Sequence, residues 1–151
     1  MPWISTPDRS LPMEDELDRM GILERDSPLP RSRIRFLAQA EESVVDQITC
    51  GVVFVMAFWS GPSRQAYRKL TEVLAALDPE GRLEFVVVDA DGCPALHDRA
   101  EFIGQMSGAG ETAWVRDGRI LCDSSRGYNP ECLEPNTRAL LSTCPKDSML
   151  E

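Results

Sequence analysis

Val52-Val53-Phe54-Val55-Met56-Ala57-Phe58 is a continuous apolar, β-branched run of strand length. Such a run predicts a strand covered on both faces by helices, and it is the natural centre of a sheet. The helical pattern that follows, from Arg64 to Leu77, places Ala66, Tyr67, Leu70, Val73, Leu74 and Leu77 on one stripe before Asp78-Pro79-Glu80-Gly81 stops it. A second apolar run, Leu83 to Asp89, predicts another strand, and two strands joined by a helix make a parallel βαβ unit.

Upstream, Ile34 and Phe36 alternate with Arg35 as a short strand, and Glu41 to Ile48 reads as a helix ended by Gly51. Downstream, a helix is expected from Pro94 to Ile103. Thr112-Ala113-Trp114-Val115 and Ile120-Leu121-Cys122 then flank Asp117-Gly118, a hairpin signal that makes the sheet mixed. A last helix, started or interrupted by Pro130 and Pro135, includes Thr137 to Leu141. Residues 1–33 read as an extension punctuated by prolines at 2, 7, 12, 28 and 30. Its one helix-capable stretch is Met13 to Glu24, with Leu17, Met20 and Leu23 near helical spacing and Glu14, Asp15 and Glu16 in the first turn. Residues 34–151 then form one domain with a C-terminal tail.

Composition narrows the function. The 151 residues carry 16 basic and 25 acidic side chains, a formal charge of −9, which repels phosphate backbones and anionic membranes. No segment approaches membrane-spanning length, and Met1-Pro2-Trp3-Ile4-Ser5 lacks the pattern of a secretory leader, so a cytoplasmic protein is expected. The cysteines at 50, 93, 122, 132 and 144 are odd in number and contain no C-x-x-C pair. They signal neither a disulfide framework nor a zinc cage, and free thiols are expected in a reducing cytosol. Cys122 and Cys132, on either side of a Ser-Ser-Arg-Gly-Tyr-Asn-Pro loop, are the one pair whose spacing invites closure. His97 has no second histidine with which to share a metal.

The candidate chemistry lies after the central strand. Phe58-Trp59-Ser60-Gly61-Pro62-Ser63-Arg64 resembles the thioredoxin turn Trp-Cys-Gly-Pro-Cys with a hydroxyl in place of each sulfur. Val87-Val88-Asp89-Ala90-Asp91 resembles the family strand ending in Val-Asp-x-Asp, and Val115-Arg116-Asp117-Gly118-Arg119 its terminal hairpin. The resemblance spans roughly residues 34 to 141. It implies a thioredoxin-like three-layer α/β/α fold with a mixed central sheet, here preceded by an N-terminal helical extension.

The departures fall on the family's working parts. Ser60 and Ser63 replace the attacking and resolving cysteines, and a serine oxygen performs neither role in thiol–disulfide exchange. Phe54 stands where the family often buries a carboxylate. Glu111-Thr112 replaces the cis-Pro-bearing Pro-Thr step, so Gly110–Glu111 is expected to be trans. Ser60 is placed to cap the next helix by accepting from the Ser63 N–H, with Pro62 in its first turn. Trp59 either shields the helix start or anchors a partner. Glu111 either fills the old substrate groove or faces water on a loop.

These residues imply a redox-inactive member that acts by protein binding, as adaptor, assembly chaperone or inhibitor, similar in its missing motif and N-terminal helix to the thioredoxin-like chaperones of hydrogenase maturation. The partner-binding site is Trp59, Ser60, Gly61, Pro62 and Ser63 with Gly110, Glu111 and Thr112. Its partner is a protein or peptide, with no catalytic residue, metal or cofactor called for. The rival is an oxidoreductase or thiol switch using a displaced Cys93, Cys122 or Cys132. Self-association through the N-terminal helix is a third reading.

Overall fold

The alternation of side chains along the central strand organises the molecule. In this computed structural model, which describes residues 10–39, 42–90, 111–123 and 130–144, strand β2 runs Cys50–Met56 and every one of its residues is buried. Its even-numbered positions Cys50, Val52, Phe54 and Met56 belong to one core cluster, and Val53 and Val55 to a second on the opposite face. This is the period of two that an extended backbone imposes. The strand starts two residues earlier than its apolar run, so Gly51 lies inside it and does not end the preceding segment. That segment is a 3₁₀ helix over Glu42–Gln47.

Five strands pair in the order β1-β3-β2-β4-β5. Strands β1 (Arg35–Leu37) and β2 lie parallel to β3 (Glu84–Asp89), while β4 (Thr112–Arg116) runs antiparallel to β2 and to β5 (Arg119–Asp123). The sheet is mixed, with β2 at its centre, as the pattern predicts. Asp117 and Gly118 both take positive φ, 53° and 77°, which makes the two-residue hairpin turn that an Asp-Gly pair favours.

Helix α2 (Gly61–Leu77) crosses from β2 to β3 and buries Ala66, Tyr67, Leu70 and Leu74 against Phe54, Phe85 and Val87. The Tyr67 ring lies 5.7 Å from Phe54 and 6.0 Å from Phe85. Helix α3 (Leu133–Thr143) packs on the same face through Leu133 and Leu140, and its Thr137 hydroxyl accepts from the Trp114 indole at 3.0 Å. Helix α1 (Ser10–Arg25) completes this layer with Met20 and Leu23 in the same cluster. It begins before Pro12 because a proline in the first helical turn removes an N–H that has no partner there anyway.

The cysteines depart from expectation. Cys50 and Cys144 form a disulfide with Cα atoms 6.2 Å apart, so they are not free thiols. Both lie on the helix face, one at the start of β2 and the other at the end of α3, and both are buried. Cys122 and Cys132 remain thiols and do not bridge. Cys93, His97, the helix expected from Pro94 to Ile103, and Gly110 with its bond to Glu111 lie outside the described residues.

Candidate functional site

At the carboxyl end of β2 the chain reverses through Ala57-Phe58-Trp59-Ser60, closed by the Ser60 N–H donating to the Ala57 carbonyl at 2.9 Å. Phe58 and Trp59 occupy the two central positions and point to different environments. Phe58 packs against the core, edge-on to Phe36 at 5.7 Å, whereas Trp59 is 68% exposed. The Trp59 ring is therefore exposed and not the partly buried ring that shielding the helix start called for. Trp59 and Leu121 are the large apolar side chains that stand in solvent among the described residues.

Both serines serve the backbone. Ser60 is the N-cap of α2, and its Oγ accepts from the Ser63 N–H at 3.3 Å. Pro62 sits in the first turn, where a missing donor costs little. The Ser63 Oγ accepts from the Ala57 N–H at 3.0 Å and donates to the Met56 sulfur at 3.5 Å. Ser63 is fully buried and Ser60 nearly so, while Gly61 and Pro62 are exposed. Both hydroxyls are thus engaged in holding the turn, and a serine oxygen is a weak nucleophile until a base activates it.

The neighbouring strand brings Glu111 and Thr112 to the same end of the sheet. The Glu111 carbonyl accepts from the Val55 N–H at 2.9 Å and Thr112 pairs with Phe54 in the ladder. Both are about 1% exposed, which overturns the loop-facing-water alternative for Glu111. Phe54 is fully buried. Six of the eight proposed site residues in this region border one end of β2 or cap it, Thr112 adds a seventh, and Gly110 lies outside the described residues.

A further participant is Asp89, which the Val-Asp-x-Asp motif marked as a strand end but not as part of this site. Asp89 follows Phe85 and Val87 on the helix face of β3, ends that strand beside Met56, and is buried. Its carboxylate accepts from the Arg19 guanidinium of α1. The same guanidinium lies over the Phe58 ring, 5.4 Å from its centroid. Around this contact the Tyr67 hydroxyl donates to the Leu23 carbonyl at 2.7 Å, and Asp26 pairs with Arg64 and Arg68 at 3.4 Å each. Burial raises the Tyr67 phenol well above its ordinary value.

The two described thiols lie on other elements. Cys122 is on β5 and Cys132 precedes α3, and burial pushes the Cys122 thiol up to about 11, with Cys132 and Asp123 adding to the effect. Burial likewise raises Cys132. The disulfide is at the other end of β2, six residues from Met56, or about 20 Å at a strand's rise per residue. No group of three or more His, Cys, Asp or Glu suited to a metal occurs among the described residues, nor does a helix long and apolar enough to cross a membrane.

No protein-family model and no curated protein matches the sequence. Solved structures do match the fold. Mitochondrial thioredoxin 3 from Saccharomyces cerevisiae, in its oxidised form, superposes with a TM-score of 0.55 at 25% identity, covering 72% of this chain and 97% of that one. Thioredoxin from Trypanosoma brucei brucei gives 0.56 at 19%, covering 72% and 91%. Fasciola hepatica thioredoxin gives 0.53 at 25%, covering 70% and 98%. The fold is thioredoxin-like.

Proposed function

We propose that this thioredoxin-like chain works by holding a protein or peptide at the turn after β2, and that the turn performs no disulfide exchange. One observation carries the reading: both hydroxyls that stand in for the cysteines are engaged in capping and closing the turn, while the adjacent Trp59 ring faces solvent. An exposed tryptophan on a turn held by its own hydrogen bonds offers large apolar contact area at small ordering cost. Gly61 and Pro62 continue that exposed stretch, and Glu111 and Thr112 are buried at the same end of β2. The reading places the protein in the cytoplasm as an adaptor, assembly chaperone or inhibitor, where burial of Cys50 and Cys144 shields their disulfide from reductants.

Capture from the native host with the full chain as bait tests it. Trp59→Ala is expected to abolish recovery of a specific protein that the unaltered chain retains. Equal recovery with both baits rejects the proposal.

A second reading draws on the Cys50–Cys144 bond, since a disulfide in a thioredoxin-like fold invites an oxidoreductase role. Its position and burial argue for a structural cross-link, and the raised Cys122 and Cys132 thiols are poor nucleophiles near neutral pH. Reductant-coupled insulin reduction separates the two. Background rates are expected. Turnover that disappears in Cys50→Ser would establish the second reading, and turnover that disappears in Cys93→Ser would locate the displaced thiol.

A further inference from the structure

We infer that Arg19 is a positioning residue for the exposed tryptophan, so that the N-terminal helix sets how the binding turn is presented. The inference rests on the binding role of Trp59 proposed above, and it extends that role to a segment preceding the strands.

Phe58 and Trp59 are the paired central residues of one hydrogen-bonded turn. Whatever fixes the inward ring therefore restricts the outward one. On the side of α2 the turn is fastened by the Ser60 cap and the Ser63 hydroxyl. On the other side, Phe58 sits between Phe36, whose ring is nearly perpendicular to it, and the Arg19 guanidinium, 5.4 Å from its centroid. Arg19 is itself anchored on Asp89, a carboxylate buried at the end of β3 next to the turn. A planar guanidinium suits both tasks, since its nitrogens can pair with a carboxylate while its delocalised charge lies over an aromatic ring. Lysine supplies the charge without the plane. Helix α1 reaches this point through contacts of its own, the buried Met20 and Leu23 and the bond from Tyr67 to the Leu23 carbonyl. Thus Arg19 acts on Trp59 through Phe58, and by holding the inward ring it restricts the freedom of the outward one.

The test uses the full chain labelled with 5-fluorotryptophan and read by fluorine NMR, with the Trp59 signal assigned by Trp59→Phe. Arg19→Ala is expected to shift the Trp59 signal by more than its linewidth and to narrow it, while the buried Trp114 signal stays in place. Arg19→Lys should recover less than half of that change. A Trp59 signal that stays within its linewidth in Arg19→Ala overturns the inference. Should Arg19→Ala disturb Trp114 as well, the near-isosteric Asp89→Asn gives the same decision, with movement confined to Trp59 expected and an unmoved Trp59 signal fatal. Capture experiments keep the two claims apart. Arg19→Ala is expected to lower recovery of the partner about tenfold, whereas recovery that ignores Trp59→Ala defeats the binding role and leaves the NMR result standing.

Discussion

Ser63 shows how much of a turn one buried hydroxyl can hold. Its hydroxyl receives the Ala57 N–H inside the core, so Ser63→Ala strands a buried donor, at a cost of about 1–3 kcal/mol. Urea denaturation should show that loss. Ser60→Ala, which removes only the cap, should cost about 1 kcal/mol. Cys122 makes a different residue-scale prediction. With its thiol pushed up to about 11, alkylation of the folded chain should rise about tenfold per pH unit between pH 7 and 9.5 without levelling off. A plateau near pH 9, read by mass spectrometry of the Cys122 peptide, would show an ordinary thiol. The Ser60 cap was legible because it depends on four consecutive residues, Ser60 to Ser63. The Arg19–Asp89 pair was not, because 70 positions separate its members and neither lies in a pattern that names the other.

Elements were legible where their signal is local. The Asp117-Gly118 turn, the stripe of α2 and the buried run of β2 each declare themselves within a few residues. Boundaries moved where sterics act across the fold. Gly51 illustrates this, since a glycine after a helical pattern reads as a stop, yet it sits in β2 because another strand comes close. A Cβ there would lie 2.7 Å from the Glu84 carbonyl oxygen and 3.0 Å from an Ile48 methyl. Gly51→Ala is therefore expected to destabilise by about 1–3 kcal/mol through forced shifts in the β2–β3 pairing. Thermal denaturation measures it, and an unchanged midpoint would show that the strands can part at no cost. Helix α1 began earlier than expected for the reason given at Pro12. Its place on the α2 face required tertiary contacts that no periodicity reveals.

For the whole molecule, the order of strands and helices was enough to yield the architecture, because connection rules leave few ways to fold a βαβ unit followed by a hairpin. The cross-link between Cys50 and Cys144 was hidden by an odd cysteine count and by a separation of 94 residues. Closing so long a loop should contribute about 4–5 kcal/mol by restricting the unfolded chain. Reduction, or the Cys50→Ser change, should lower the unfolding midpoint in urea accordingly. Alkylation in denaturant should add two further labels once reductant is present. The bond also makes a covalent ring of the α2 crossover, most of the sheet and α3. A protease that severs one peptide link within that ring, after Arg99 for example, releases no fragment, and the nicked chain migrates as a single band on a gel until thiols open it.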